Sequence, residues 1–298
     1  MRYTRTFCLA AAISAAAFGL TACGAGAGST KSVAASGSGS PVAAPSTATV
    51  AQAMALVTKQ ATNYTSMKMT MSEVAPKVGT ITTSGSVCTR PLAMDLTVSN
   101  PQLAQALGVG SMQVLMSDDV MYMDMGSKGA QELGGKHWLK MSLASLGTEG
   151  QALTNVMNQS SDQGPATTVQ LLTSSGDVKR VGQETVDGVP TTHYSGVVDT
   201  KKLLAQGVLP GSDDAELKTL LNQQAGLGLT TEDVDLWVNA QNLPVRAHET
   251  AQTSAGPLDV TVDYSDFSSS PLQITPPPAA DTVDFSQLIK QEQQGQTG

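Results

Sequence analysis

Cysteine is nearly absent from this chain of 298 residues, which contains only three. Cys8 and Cys23 lie within the first 23 residues, so Cys88 is the one cysteine left for the rest of the chain. A single thiol cannot form an intramolecular disulfide, and a folded body stabilised by disulfides is excluded. Aromatic residues make up only 4% of the chain, so a core must be filled mainly by aliphatic side chains and by the 13 methionines.

Catalytic and metal-binding motifs are also missing. The chain has no Gly-x-Ser-x-Gly elbow, no phosphate-binding Gly-rich loop followed by Lys, and no His-Glu-x-x-His pair. Its three histidines stand apart in strand-like segments without the spacing of metal ligands: His137, His193 and His248. These absences predict a protein that is not an enzyme and that uses no metal or other cofactor.

Basic residues are outnumbered, with 17 Lys and Arg against 25 Asp and Glu. Arg2 and Arg5 both belong to the N-terminal segment; without them 15 basic residues remain against 25 acidic ones, a net charge of about −10. Such a surface repels the phosphate backbone, so no nucleic acid is expected as a partner.

The N-terminus carries the most specific signal in the chain. Arg2 and Arg5 precede a short apolar run, Phe7 to Leu20, which is followed by Thr21-Ala22-Cys23. This order is typical of a secretory signal peptide over residues 1–22. Leu-Thr-Ala-Cys also resembles the lipobox of bacterial lipoproteins, which implies that Cys23 is lipidated and becomes the first residue. The alternative is an ordinary secreted protein with a chance cysteine near the cleavage point.

Residues 23–47 are predicted to form a lipidated cysteine followed by a flexible tether. The stretch from Gly24 to Thr47 consists almost entirely of small and polar residues and cannot bury a core. A lipid with two acyl chains suffices for stable anchoring. We therefore expect the protein to be held through this anchor at the outer face of the cell membrane.

Alternation of apolar and polar residues dominates residues 48–290. Met67, Met69 and Met71 alternate with polar residues, as expected for strands with one buried face. Similar runs contain Leu92–Val98, Met121–Met125, Val234–Val238 and Leu258–Tyr264, and short turn-forming segments separate several of them. Helical patterns are few. The prediction is an α+β fold with a single, strongly curved antiparallel β-sheet, a half-barrel whose concave face is covered by helices.

The sequence also gives one further prediction and one alternative for the domain organisation. Residues 291–298 are predicted to be a disordered tail. An alternative to the single half-barrel is a pair of small α+β domains divided near Gly176.

Two passages in the second half of the chain carry a family resemblance. Lys179 to Asp199 reads KRVGQETVDGVPTTHYSGVVD, and Leu236 to Arg246 reads LWVNAQNLPVR. With the lipobox, they resemble the actinobacterial exported lipoproteins of the LppX/LprA/LprF/LprG type and, more distantly, the LolA/LolB superfamily of periplasmic lipoprotein carriers. The resemblance implies a half-barrel that holds an acylated lipid or glycolipid in a hydrophobic cavity. It supplies no cavity motif that aligns residue by residue.

Methionines on the strand faces suggest which residues would line such a cavity. A flexible thioether side chain adapts to acyl chains of varied shape, although the same residues can also fill an ordinary core. The predicted function is binding of an acylated lipid or lipoglycan, which a monomeric protein carries or presents in the cell envelope. The alternative is a non-enzymatic envelope protein that binds a protein partner and has no lipid cavity. The predicted cavity residues are Met69, Met71, Met94, Leu96, Met121, Met123, Leu236 and Val260.

Overall fold

The computed structural model of the chain describes residues 49–288, except 77, 104–107, 149, 152, 155–163, 207–220, 223–228 and 254–255. The signal peptide, Cys23, the tether and the C-terminal tail therefore lie outside the described residues. The described strands are β1 (Ser66–Ala75), β2 (Gly79–Thr89), β3 (Leu92–Ser99), β4 (Ser111–Ser117), β5 (Val120–Asp124), β6 (Trp138–Ser142), β7 (Lys179–Val186), β8 (Val189–Asp199), β9 (Thr231–Asn239), β10 (Pro244–Thr253), β11 (Gly256–Ser268) and β12 (Thr282–Asp284). The described α-helices are α1 (Val50–Ala61), α2 (Gly126–Glu132), α3 (Pro165–Ser175) and α4 (Thr200–Gln206), with 3-10 turns at Leu143–Leu146 and Ala279–Asp281.

All twelve strands belong to one open sheet, in the order β12-β6-β5-β4-β3-β2-β1-β11-β10-β9-β8-β7. Every neighbouring pair is antiparallel except β12 and β6, which are parallel. The predicted half-barrel of class α+β is confirmed. The alternative division near Gly176 is not seen, because the strands on both sides of that residue are hydrogen-bonded into the same sheet through β1 and β11.

Short turns account for the meander order along most of the sheet. Asp118 and Asp119 join β4 to β5, and Asp187 and Gly188 join β7 to β8; all four have positive φ angles between 48° and 82°. Two-residue turns with positive φ at both positions match the twist of antiparallel strands, and Asp and Gly tolerate that conformation. Each such turn fixes the register of its hairpin.

Helix α1 begins where the sequence provides a cap. The Gln52 backbone N–H donates to Thr49 Oγ1 at 3.3 Å, and the Thr49 backbone N–H donates to Gln52 Oε1 at 2.9 Å. This reciprocal pair satisfies two backbone donors that would otherwise lack partners at the first turn. Met54 and Val57 follow on one side of the helix and are fully buried. The cap and this apolar side attach α1 to the sheet.

Two separate hydrophobic cores lie on the same face of the sheet, which we call the inner face. The first core joins α1, α3 and α4 to β8, β9 and β10, and it contains Met54, Val57, Val169, Leu171, Leu172, Tyr194, Val198, Leu203, Leu221, Val234, Leu236, Val238 and Ala247. The second core lies over β4, β5 and β6 and contains Met116, Met121, Met123, Leu139, Met141 and Leu143. Phe285 and Leu288, which follow β12, pack against the second core. The predicted helical cover is therefore present at the β8–β10 end.

The opposite, outer face also has a buried region. The chain leaves β11 in the middle of the sheet and reaches β12 at its edge through residues 269–281. Near the start of this connection, Ser66 Oγ donates to the carbonyl oxygen of Ser270 at 2.8 Å. Near its end, the His137 backbone N–H donates to Asp281 Oδ1 at 2.9 Å. Cys88, an outer-face residue of β2, is fully buried, so its thiol is part of the packing.

Within residues 49–288, apart from the gaps given above, no helix has both the length and the apolar character needed to cross a membrane.

Candidate functional site

The register of the sheet places the predicted cavity residues on one face. Met69 on β1 is opposite Gly85 on β2, which is opposite Leu96 on β3. Leu96 is in turn opposite Val114 on β4, and Val114 is opposite Met123 on β5. Directly opposed residues of neighbouring strands point to the same side of a sheet. Met69, Leu96 and Met123 therefore lie in one row across five strands.

A second row runs in the other direction from β1. Met71 is opposite Val262 on β11, Val262 is opposite Ala247 on β10, and Ala247 is opposite Leu236 on β9. Since Leu236 belongs to the first core, both rows lie on the inner face. The same argument applies to the remaining positions, so one face carries all eight predicted residues: Met69, Met71, Met94, Leu96, Met121, Met123, Leu236 and Val260.

Burial divides these eight residues into two groups. Leu236 is fully buried in the first core, while Met121 and Met123 are buried in the second core with Met94 packed against it. These four side chains pack against other protein side chains, and the other four are half-buried. Whether any of the eight lines a ligand cavity stays a prediction.

Between the two cores the inner face is largely apolar but only partly covered. We call this region the central strip and define it by six half-buried residues on β11, β1 and β3: Val260, Val262, Met69, Met71, Leu96 and Val98. Gly85 lies within the strip and contributes no side chain. The strip thus offers aliphatic and thioether groups that are only partly removed from water, and further burial of such a surface is favourable.

Three glutamates share the inner face with the central strip, although none of them was among the predicted site residues. Glu73 continues the alternation of Met69 and Met71 along β1, and Glu249 and Glu232 occupy the corresponding side of β10 and β9. Burial raises the pKa of each carboxyl group. A charged residue in the apolar register of a strand was the signal that could have revealed them.

Glu232 makes the stability of the fold depend on pH. Burial, with a smaller contribution from the neighbouring Glu249 carboxylate, raises the pKa of Glu232 from 4.5 to about 7. Between these values the folded state binds more protons than the unfolded state, so the free energy of unfolding falls as the pH rises. Glu232→Gln is expected to remove this loss and to raise stability at pH 8, relative to pH 4, by about 3 kcal/mol. Urea unfolding at the two pH values measures the difference.

Asp233→Asn is the matched control for this prediction. Asp233 is the next residue on β9, but it is exposed and lies on the outer face. The Asp233→Asn variant should retain the pH dependence that Glu232 produces. Equal pH dependence in Glu232→Gln and in the unsubstituted protein would contradict the prediction.

The two passages that carry the family resemblance meet on the outer face. The rings of His193 and Trp237 stack with centroids 4.3 Å apart and an interplanar angle of 13°. Trp237 Nε1 donates to Glu184 Oε2 at 2.7 Å, and the two His193 ring nitrogens lie 2.9 Å from Glu184 Oε1 and 2.7 Å from Asp235 Oδ1. The hydrogen bonds from Trp237 and His193 lower the pKa of Glu184. This network joins β7, β8 and β9.

The other two histidines also contact carboxylates. His137 Nδ1 lies 3.0 Å from Asp281 Oδ1, and His248 Nε2 lies 3.1 Å from Asp259 Oδ1. The histidines stand apart in the sequence because their carboxylate partners lie on other segments of the chain. Among the described residues, no group of three or more His, Cys, Asp or Glu side chains is arranged to hold a metal ion.

Comparison with known proteins gives relatives in both sequence and structure, while no protein-family model matches the chain. An uncharacterized 31.2 kDa protein of Streptomyces griseus is 40% identical over 190 residues, which are 63% of this chain and 61% of that protein. A Streptomyces coelicolor protein named "putative lipoprotein" is 34% identical over 186 residues, which are 61% of this chain and 54% of that protein. The chain thus spans less than two thirds of the length of these relatives.

The similar solved structures include two mycobacterial lipoproteins. LprF from Mycobacterium bovis has a TM-score of 0.47 and 14% identity, covering 77% of this chain and 97% of LprF. LppX from Mycobacterium tuberculosis has a TM-score of 0.45 and 16% identity, covering 76% of this chain and all of LppX. The predicted resemblance to lipoproteins is confirmed as a similarity by the Streptomyces coelicolor relative, and LprF and LppX are of the LppX/LprA/LprF/LprG type that the sequence resembles.

Proposed function

We propose that the chain is an extracytoplasmic lipoprotein that binds an acylated lipid or lipoglycan on its inner face and carries or presents it in the cell envelope. The single observation that supports this proposal most is the central strip, a half-buried apolar surface between two packed cores. In a fully packed protein these residues would be buried as completely as those of the two cores. An acyl chain laid on the strip would complete its burial.

Binding would be driven by removal of apolar surface from water. Each Å² of apolar surface buried contributes about 25 cal/mol, so an acyl chain that contacts several strands of the strip gains several kcal/mol. Met69 and Met71 lie at the centre of the strip and can adjust their side chains to different acyl chains. No cofactor takes part in this proposal.

The anchor would place this site at the membrane. We propose that Cys23 carries the lipid and that residues 24–47 tether the folded body to the outer face of the membrane. A flexible linker of this length reaches about 25 to 30 Å, roughly the thickness of the hydrocarbon core. The central strip would therefore remain within reach of membrane lipids.

The test compares two neighbouring residues of β1. Met69 lies in the central strip, whereas Thr70 is exposed on the outer face. The chain from Gly24 onward, which retains every described residue, is purified from a Gram-positive host and studied by native mass spectrometry and organic extraction. We expect a co-purifying acyl lipid at about one per chain, retained in Thr70→Glu and lost in Met69→Glu. Circular dichroism checks that both variants are folded.

Two results would contradict the proposed function. One is a protein without lipid that takes up none from added membrane lipids. The other is a lipid that Met69→Glu retains as fully as Thr70→Glu. Either result would favour the alternative of an envelope protein that binds a protein partner.

A further inference from the structure

Glu73 is a buried carboxylate without a partner on the inner face. Its residue is only 7% exposed, and it stands between Ile81 on β2 and Val260 on β11. Among the described residues it makes no hydrogen bond or ion pair, and burial is the cause of its raised pKa. Desolvating a carboxylate without compensation is costly, so its retention at this position requires a physical reason.

The oxygens of Glu73 are nevertheless reachable. In the described structure, two side-chain oxygens both lack a hydrogen-bond partner and are fully enclosed: Thr65 Oγ1 and Thr200 Oγ1. Glu73 has no partner and is not among them, so its carboxylate oxygens border accessible space. The small exposed fraction of this residue therefore includes the group that a ligand could contact.

Glu249 extends the acidic region across the sheet. Val260 is opposite Glu73 on one side and opposite Glu249 on the other, which separates the two backbones by two strand spacings, or about 10 Å. Glu249 Oε1 accepts a hydrogen bond from Thr168 Oγ1 of α3 at 3.2 Å. Glu249 is thus partly satisfied by the protein, whereas Glu73 is not.

The acidic region adjoins the central strip. Met71 and Val262 form the next row of the inner face, two residues along each strand from Glu73 and Val260. Two residues along a strand correspond to about 7 Å. An amphiphile whose acyl chains lie on the rows of Met69 and Met71 would therefore bring its polar end to Glu73.

We infer that the ligand's polar head group is a hydrogen-bond donor, a hydroxyl or an ammonium, that binds the Glu73 carboxylate, and that an anionic head group is disfavoured there. This inference rests on the proposed function and specifies its ligand. An O–H or N–H donor would satisfy the unpartnered oxygens, and charge-assisted hydrogen bonds of this kind are among the stronger ones. A phosphate or carboxylate head would instead place acceptor oxygens of like charge against the Glu73 carboxylate.

The test uses three probes with the same twelve-carbon chain: dodecylamine, dodecanol and dodecanoate. Equilibrium dialysis at pH 7.5, below the aggregation concentration of each probe, gives the affinities for the chain from Gly24 onward. We expect dodecylamine and dodecanol to bind at least about tenfold more tightly than dodecanoate. Glu73→Gln, which keeps the size of the side chain, should reduce this preference severalfold.

Asp259→Asn controls for the overall negative charge of the protein. Asp259 neighbours Val260 on β11 but is exposed on the outer face, where it contacts His248. This variant should keep the preference of the unsubstituted protein. A thermal melt of each variant verifies that the fold is intact.

The outcomes separate the inference from the proposed function. If dodecanoate binds as tightly as dodecanol, or if Glu73→Gln and Asp259→Asn have the same selectivity, the head-group inference is wrong while lipid binding stands. If none of the three probes binds, the proposed function fails and the inference fails with it.

Discussion

Replacement of Gly85 by alanine is expected to cost about 3 to 5 kcal/mol of stability, because the middle of the sheet has no space for a side chain at this position. Gly85 has a φ angle of +148°, which residues with a Cβ rarely adopt. A Cβ atom added there would overlap the carbonyl oxygen of Asp95 on the neighbouring strand β3. Backbone atoms cannot rotate away as a side chain can, so β2 and β3 would have to separate locally. Urea unfolding followed by circular dichroism measures the loss.

Gly182 provides the matched control for this substitution. It is also a strand glycine, on the edge strand β7, and an added Cβ would meet no other atom within 4 Å. Gly182→Ala should therefore change stability by less than about 1 kcal/mol. A Gly85→Ala protein as stable as Gly182→Ala would show that the close approach to Asp95 is not a constraint.

Truncation of one large side chain in each core is expected to give two large and additive losses. Leu236 in the first core and Met116 in the second are both completely buried. Leu236→Ala and Met116→Ala should each lower the free energy of unfolding by about 2 to 5 kcal/mol. Their strands, β9 and β4, are six strand spacings apart in the sheet, or about 29 Å along it. The double variant should therefore lose the sum of the two, within about 0.5 kcal/mol.

The exposed side of α1 supplies the comparison for this pair. Leu56 is 50% exposed, and Leu56→Ala should cost less than about 1 kcal/mol. Denaturant titration of the four variants at one temperature yields the values. A double variant that deviates from the sum by more than about 1 kcal/mol would mean that the cores are coupled across the central strip, contrary to their separate packing.

Local patterns in the sequence were sufficient to predict the faces of the strands. The alternation around Met69 and Met123 assigned both residues to one buried face. Short turn-forming segments were predicted between strands, and the structure has two such hairpin turns, at Asp118 and Asp187. These features depend on neighbours within a few residues, which periodicity and turn preference describe directly. The fold class could therefore be predicted from the sequence.

Long-range features could not be predicted in the same way. Leu236 and Met71 show the same alternation, yet one is packed beneath helices and the other is half-buried. Periodicity identifies a face but not the element that covers it. The short strand β12 pairs with β6 across about 140 residues, and nothing in its three residues specifies that partner. Glu73 was not predicted, because the prediction rested on apolar residues and Glu73 is a charged residue that continues the alternation of Met69 and Met71 on β1.

The pairing of β1 with β11 has a consequence for when the central strip forms. These two strands provide Met69, Met71, Val260 and Val262, so the central strip combines residues separated by about 190 positions in the chain. Ribosomes produce β1 early and β11 near the end, and long loops close at an entropic cost that delays such contacts. A nascent chain thus holds one edge of β1 unpaired until almost all of it has been synthesised. The complete central strip therefore forms only after both strands have been synthesised and have paired.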